Sequence, residues 1–459
     1  MQNTKEVIDE NKIWKILEES KKNYSEKIID KILKKALNKK GLSLKDVAYL
    51  LQVEKPETIK RMFAVSGRIK NEIYGERLVF FAPLYVSSFC VNDCEYCGFH
   101  TSNAEPRKKL SMKDVRDQVK ILEDMGHKRL LLEFGEHPKM NPIDYVVDVI
   151  KTIYKTKSGN GEIRRVNINI AATTVENYRK LKKAGIGTYQ LFQETYHRET
   201  YKKLHRGPKA DYERQLFAHD RAIKAGLDDV GLGVLYGLFD YKFDTLALVS
   251  HSQYLDKKYN IGPHTLSVPR FQPASTVGVD LPYKVSEDQL LKIISILRMA
   301  VPYTGMIIST RENPKTRAKA FEIGISQTSA ASRTTPGGYG EKGELQQFFL
   351  QDHRNVEEIL ESILKQGFLP SFCTACYRLD RTGETILNII KAGKIHNLCR
   401  PNAILTFKEY LEDYASKKIK KLGTKTISKY LKKIPDAKVR TETENRLIKI
   451  EKGERDLYF

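Results

Sequence analysis

LVFFAPLYVSSFCVNDCEYCGFH, residues 78–100, joins a strand-like apolar run to a loop that carries three cysteines. Cys90, Cys94 and Cys97 are separated by three and then two residues. Three thiolates can hold three corners of a 4Fe–4S cube and leave one iron with an open, reactive position. A zinc site is the alternative, because His100 would complete a Cys3His set. The spacing favours the iron–sulfur cluster.

Seven more strand-like runs follow, and helical stretches separate them. One helix candidate, SMKDVRDQVKILEDMG, opens with a serine of the kind that caps helix N-termini. Eight βα units between about residues 78 and 335 predict a closed (β/α)8 barrel of the TIM type, with its chemistry at the carboxyl ends of the strands. The later runs are RLLLEFGE (129–136), VNINIAA (166–172), TYQLFQET (188–195), VGLGVLYGL (230–238), HTLSVPRFQP (264–273), GMIISTRE (305–312) and ISQTSAAS (325–332).

Helical periodicity continues on both sides of the barrel pattern. We therefore predict a helical N-terminal extension at residues 1–75, the barrel at 76–340 and a mostly helical C-terminal segment at 341–459. The turn-rich stretch SRTTPGGYGEKG, residues 332–343, forms the second joint.

The chain is strongly basic, with 79 Lys+Arg against 57 Asp+Glu and a net charge of +22. The lysines concentrate in two amphipathic flanks without a nucleic-acid-binding motif, so nucleic acid is an unlikely partner and an acidic electron carrier fits better. The chain contains no apolar run of about 18 residues, and its start, MQNTKEVIDENK, does not resemble a signal peptide. We expect a cytoplasmic protein without a membrane span.

The other three cysteines, Cys373, Cys376 and Cys399, form a CX2C-X22-C pattern, and no cysteine lies outside the two triplets. Such clustering in a long chain favours metal ligation over disulfides. The CX2C pair alone is also typical of redox pairs and half zinc sites, and His396 would complete a Cys3His set. These residues by themselves leave the metal open.

LYVSSFCVNDCEYCGFH resembles the cluster loop of radical S-adenosylmethionine (SAM) enzymes, especially the branch of biotin synthase and the aromatic amino-acid lyases. The resemblance implies that the open iron binds SAM through its amino and carboxylate groups. Reductive cleavage of SAM then gives methionine and a 5′-deoxyadenosyl radical. By the same resemblance Tyr96, within the loop, is a cofactor-binding residue.

Other SAM contacts are implied by the same resemblance. Gly135 and Glu136 resemble the GGE motif that meets the SAM amino group, although Phe134 replaces its first glycine. Glu194, near the end of the fourth strand, and Arg214 resemble the residues that hold the SAM ribose and carboxylate.

A radical SAM barrel followed by CX2C-X22-C resembles the tyrosine lyase family of iron–iron hydrogenase maturation. The family chemistry implies cleavage of the Cα–Cβ bond of L-tyrosine to p-cresol and dehydroglycine, and conversion of dehydroglycine to carbon monoxide and cyanide. The second step implies a second 4Fe–4S cluster that bears an additional iron held through a free cysteine, with His264 matching a histidine ligand of that iron. Implied partners are an electron donor such as ferredoxin or flavodoxin and a hydrogenase-maturation scaffold protein.

Two alternatives remain. The first is a dehydroglycine synthase of thiazole biosynthesis, a related tyrosine lyase that lacks the second triplet. The second is a non-catalytic iron–sulfur scaffold or electron carrier, which needs no open iron. His264 begins the sixth strand, and a strand rises about 3.3 Å per residue. His264 is thus expected at the barrel mouth opposite the SAM cluster, with the interior between the two sites.

A tyrosine carboxylate is best held by an arginine fork. Three arginines lie at predicted strand ends: Arg270, Arg311 and Arg333. We favour Arg311, supported by Ser309 and Ser332.

Overall fold

A computed structural model describes residues 3–274, 277, 281–340 and 345–459. Its strands are β1 (Arg77–Ser87), β2 (Arg129–Phe134), β3 (Lys157–Ser158), β4 (Gly161–Glu162), β5 (Arg165–Asn169), β6 (Tyr189–Gln190), β7 (Val230–Gly233), β8 (Thr265–Ser267), β9 (Gly305–Ile308), β10 (Gln327–Ser329) and β11 (Leu369–Ser371). β3 and β4 form a separate antiparallel hairpin. The predicted domain boundary at 340/341 adjoins residues 341–344, which lie outside the described residues.

Eight parallel strands close the barrel within the described chain. Their order is β1, β2, β5, β6, β7, β8, β9 and β10, and β10 pairs back to β1. Each of the eight predicted runs supplies one of these strands, so the prediction of a TIM-type barrel is confirmed. Several strands are shorter than the runs predicted from the sequence. Isolated β-bridges, such as Glu194–Val234 and Tyr236–Arg270, continue the pairing of neighbouring strands toward their carboxyl ends.

Helices surround the barrel and form both flanking segments. The serine cap predicted at Ser111 is present as a capping box with Asp114. Within the described residues, two short 3₁₀ helices lie at Pro208–Ala210 and Lys394–Asn397. The α-helices are α1 (Thr4–Val7), α2 (Glu10–Lys22), α3 (Glu26–Ala36), α4 (Leu44–Leu51), α5 (Pro56–Tyr74), α6 (Met112–Asp124), α7 (Ile143–Lys155), α8 (Val175–Lys183), α9 (Arg198–Leu204), α10 (Tyr212–Leu216), α11 (Ala218–Lys224), α12 (Tyr241–Tyr259), α13 (Glu287–Ala300), α14 (Pro314–Ile323), α15 (Val356–Lys365), α16 (Ala375–Arg378), α17 (Gly383–Lys391), α18 (Cys399–Asp413), α19 (Lys417–Leu431) and α20 (Ala437–Glu451).

One strand of the C-terminal segment joins the barrel sheet. β11 runs parallel to the first residues of β1, with Leu369 opposite Arg77 and Ser371 opposite Val79. Val79 also pairs with Gln327 of β10, so β11 must lie on the other edge of β1. On that edge β11 pairs with the start of β1, and β2 pairs with the residues that follow. The C-terminal segment is therefore hydrogen-bonded to the amino-terminal mouth of the barrel.

The barrel interior is layered. Phe81, Leu131 and Ile307, each at most 8% exposed, form an apolar layer across its middle. Polar side chains line the space on both sides of this layer. Among the described residues, no helix has the length and apolar character needed to cross a membrane.

Candidate active site and second cysteine cluster

The first triplet lies where the sequence predicts, in the loop after β1 at the carboxyl-end mouth. The loop is fastened by hydrogen bonds from the Val91 N–H to the Glu136 carbonyl (2.7 Å) and from Arg107 to the Phe99 carbonyl (2.8 Å). Gly135 lets the second strand pass this loop, because a Cβ there would lie 2.3 Å from the Phe89 carbonyl oxygen.

Two of the three thiols of this loop, those of Cys94 and Cys97, lie in a shielded environment. Burial raises the pKa of Cys97 to about 11, with Cys90 adding to the rise, and it raises the pKa of Cys94 well above the ordinary value. Such thiols stay protonated unless a metal ion replaces the proton, since the thiolate is the metal ligand. The set of Cys90, Cys94 and Cys97 thus fits an iron–sulfur cluster held at three corners.

Two predicted SAM contacts meet beside the first triplet. Arg214 donates to the Glu136 carboxylate at 2.5 Å, and the Asn92 side-chain amide donates to the other carboxylate oxygen at 2.6 Å. Arg214 also donates to the Ala172 carbonyl. The arrangement brings a carboxylate and a guanidinium to the cluster loop, where the amino and carboxylate groups of an amino acid need partners of opposite charge.

Glu194 has a strained backbone conformation and lies on the same side of the barrel. Its φ is +69°, a left-handed conformation that non-glycine residues rarely adopt, so the surrounding structure must fix it. Its carboxylate accepts a hydrogen bond from Lys209 at 2.7 Å. Burial lowers the pKa of Lys209, but Glu194 and Cys94 outweigh this effect and raise it overall. The Tyr96 hydroxyl bonds to the His205 ring at 2.7 Å.

A cavity of about 140 Å³, the upper cavity, lies between the first triplet and the apolar layer. It is lined by Tyr96, Cys97 and Glu194 from the cluster side. Its remaining polar lining residues are Tyr85, Glu133, Asn169, Gln190, Ser267, Ser309, Thr310, Arg311, Ser329, Ser332, Thr334 and Gln347.

Only one of the three candidate arginines faces this space. Arg311 stacks 3.4 Å above the Phe348 ring centroid, and its buried Nε has no partner among the described residues. Ser309 and Ser332 line the same cavity. Arg270 instead forms a bidentate ion pair with Glu312 (3.0 and 3.1 Å from Nε) and does not line the cavity.

The second triplet lies at the amino-terminal mouth, around a space of about 80 Å³ that we call the lower cavity. Cys373 follows β11, Cys376 lies in α16 and Cys399 begins α18. A hydrogen bond from the Cys376 thiol lowers the pKa of Cys399 to about 6, whereas burial raises that of Cys373. The three thiols share one cavity and are therefore candidates to hold a second cluster.

His264 also lines the lower cavity, although it comes from the barrel. Its Nδ1 lies 3.9 Å from Asp229, a carboxylate that is 2% exposed and whose oxygens have no hydrogen-bond partner among the described residues. The other histidine near the triplet, His396, engages both ring nitrogens, with the Glu72 carbonyl at 2.9 Å and with Arg400 at 3.3 Å. Of these two histidines, His264 is thus the one that lines the lower cavity together with the three thiols.

Several residues in or near the two cavities were not singled out from the sequence. Glu133 lies two positions after the inward-facing Leu131. Because side chains of a strand alternate between its two faces, the sequence could have predicted that Glu133 also faces the barrel interior. Lys209 lies in a short 3₁₀ helix, Asn92 in a loop and Asp229 just before a strand, where no periodicity marks them.

Comparisons with known proteins agree with this arrangement. The chain matches the Radical SAM superfamily over residues 84–248 and the Biotin and Thiamin Synthesis associated domain over residues 267–369. It is 33% identical to the 2-iminoacetate synthase of Salmonella typhimurium, over 77% of this chain and 93% of that protein. The chain therefore belongs to the radical SAM superfamily, and its site binds a 4Fe–4S cluster and SAM.

Two solved structures define the family more closely. One, the crystal structure of HydG, a maturase of the FeFe-hydrogenase, superposes with a TM-score of 0.97 at 56% identity, over 99% of this chain and 100% of that one. The other, the FeFe-hydrogenase maturase HydG from Carboxydothermus hydrogenoformans, gives 0.86 at 40% identity, over 97% and 100%. The chain belongs to the HydG family of hydrogenase maturases.

Proposed function

We propose that this radical SAM tyrosine lyase converts the dehydroglycine that it makes from tyrosine into carbon monoxide and cyanide at the second triplet. The observation that carries the proposal is the lower cavity, where Cys373, Cys376, Cys399 and His264 converge at the mouth opposite the SAM cluster. Three thiolates there leave one corner of a 4Fe–4S cube open, and we assign to His264 the holding of an additional iron linked through a free cysteine.

The roles of the upper cavity are part of the same proposal. Glu136, Glu194, Arg214 and Tyr96 contact SAM. Arg311 binds the tyrosine carboxylate with help from Ser309 and Ser332. Arg270 does not contact tyrosine and acts on the site only through its ion pair with Glu312. When bound, the reduced cluster and SAM supply the radical that attacks tyrosine.

The partners follow from charge and chemistry. A net charge of +22 favours an acidic electron donor such as ferredoxin or flavodoxin. An iron carrying carbon monoxide and cyanide needs a receiving protein, which we take to be a hydrogenase-maturation scaffold. Six free thiols arranged for reduced clusters suit the cytoplasm.

The decisive experiment is product analysis after anaerobic reconstitution with iron, sulfide, cysteine, SAM, tyrosine and a strong reductant. We expect p-cresol, 5′-deoxyadenosine, carbon monoxide trapped on a haem protein, and cyanide. If p-cresol forms with glyoxylate and no carbon monoxide, the chain stops at dehydroglycine, as the thiazole-pathway alternative requires.

Replacing His264 with alanine should leave p-cresol formation near the wild-type rate, because His264 lines the lower cavity and not the upper cavity in which tyrosine is proposed to bind. The apparent affinity for the additional iron should fall about 10- to 100-fold. The measurement is iron per chain and its Mössbauer signature at graded ferrous iron. His396→Ala is the matched control, since that ring is engaged elsewhere. A loss of p-cresol with normal iron content would contradict the assignment.

Replacing Arg311 with lysine should raise the KM for tyrosine about 10- to 100-fold, because a lysine cannot reproduce a charge-assisted bidentate contact. Steady-state p-cresol formation measures the change. Arg333→Lys, at an exposed arginine, should leave the KM unaltered. An unchanged KM in the Arg311 variant would move the carboxylate site elsewhere.

A further inference from the structure

We propose that Glu133 binds the α-ammonium group of tyrosine, while Arg311 holds the carboxylate of the same molecule. The inference depends on tyrosine being the substrate of the upper cavity, and it adds the residue that recognises the other charged group of the amino acid.

Glu133 belongs to a polar ring in the barrel wall. In the sheet it lies opposite Tyr85 of β1 and opposite Asn169 of β5. All three side chains line the upper cavity, one layer above Leu131 of the apolar layer. Glu133 therefore points into the space that the substrate occupies.

The charges around the upper cavity leave one acid and one base unmatched. Glu194 is paired with Lys209, and Glu312 with Arg270. Among the described residues, Glu133 has a hydrogen bond from Asn169 but no cation within ion-pair distance, and Arg311 has no carboxylate partner. An unpaired acid and an unpaired guanidinium in one cavity are complementary to a zwitterion.

The amino and carboxylate groups of an α-amino acid share one carbon, so their binding groups must be neighbours. Arg311 is close enough to lower the pKa of Glu133, although burial outweighs it and raises that pKa to about 8. The other charged or titratable groups facing Glu133 are Glu194 and Tyr85. An ammonium group compensates this half-buried carboxylate, so its binding displaces the proton of Glu133.

The test is a substrate-analogue series on the reconstituted enzyme with SAM bound. Binding of tyrosine, of tyramine (no carboxylate) and of 3-(4-hydroxyphenyl)propanoate (no amino group) is measured by anaerobic calorimetry for wild type and Glu133→Gln. We expect Glu133→Gln to weaken tyrosine and tyramine about 10- to 100-fold and to leave the propanoate within about twofold. Arg311→Lys should weaken tyrosine and the propanoate and spare tyramine.

Proton release gives a second readout that a purely structural role would not change. Near pH 7, wild-type binding of tyrosine should release a proton to the buffer, and Glu133→Gln should abolish that release. Glu133→Asp should recover part of the affinity for tyrosine.

Equal weakening of all three molecules by Glu133→Gln would overturn the inference, because the residue would then contact the phenol or merely support the wall. If wild type bound none of the three, the substrate assignment itself would fail. The two failures are thus distinguishable.

Discussion

Cys94→Ala is expected to reduce 5′-deoxyadenosine formation to background. Cys94 is 5% exposed and is one of only three thiolates available to the SAM cluster, and a cube held by two thiolates is poorly retained. All later products should vanish with it, because every step depends on the radical. Chromatography of the nucleoside products after anaerobic turnover with a strong reductant measures the effect.

Cys373→Ala is the matched control, since it removes a buried thiol (9% exposed) from the other triplet. It should keep SAM cleavage while losing iron from the second site. Undiminished 5′-deoxyadenosine from the Cys94 variant would contradict the role of this loop as the SAM cluster site.

Replacing both Cys376 and Cys399 with alanine should abolish carbon monoxide while p-cresol formation continues. Dehydroglycine would no longer meet an open iron and would escape and hydrolyse, so glyoxylate should rise as carbon monoxide disappears. Cyanide would persist weakly through uncontrolled decomposition. Paired measurement of p-cresol by chromatography and of carbon monoxide on a haem protein follows both halves of the reaction.

Iron content gives the control for this double variant. It should fall by one cluster, and the melting temperature should show whether α16 and α18 remain packed. A normal yield of carbon monoxide would leave a structural metal site as the better account of the second triplet.

The barrel was predictable because its strands are buried on both faces and repeat as apolar runs with helices between them. The cluster loop was predictable because ligand spacing is local in sequence. Strand β11 was not predictable from the sequence. Its sequence, LPS, is only three residues long and contains Pro370, which lacks an N–H to donate. Its partner lies about 290 residues earlier, and no local pattern records such a pairing.

The choice among arginines shows the same limit. Arg270 and Arg311 both follow barrel strands, and nothing local distinguishes them. The difference comes from Glu312, which forms an ion pair with Arg270, whereas Arg311 has no such partner among the described residues and lines the cavity. Charge matching across a cavity is a property of the folded chain.

The position of β11 has a consequence for the order of assembly. The barrel closes through β1 and β10, both of which leave the ribosome before residue 369. β11 then adds to an edge of β1 that is still free, and the last cysteines arrive on a finished scaffold. The loop that carries Cys90, Cys94 and Cys97 can therefore take its place on a closed barrel before Cys373, Cys376 and Cys399 are positioned beside it.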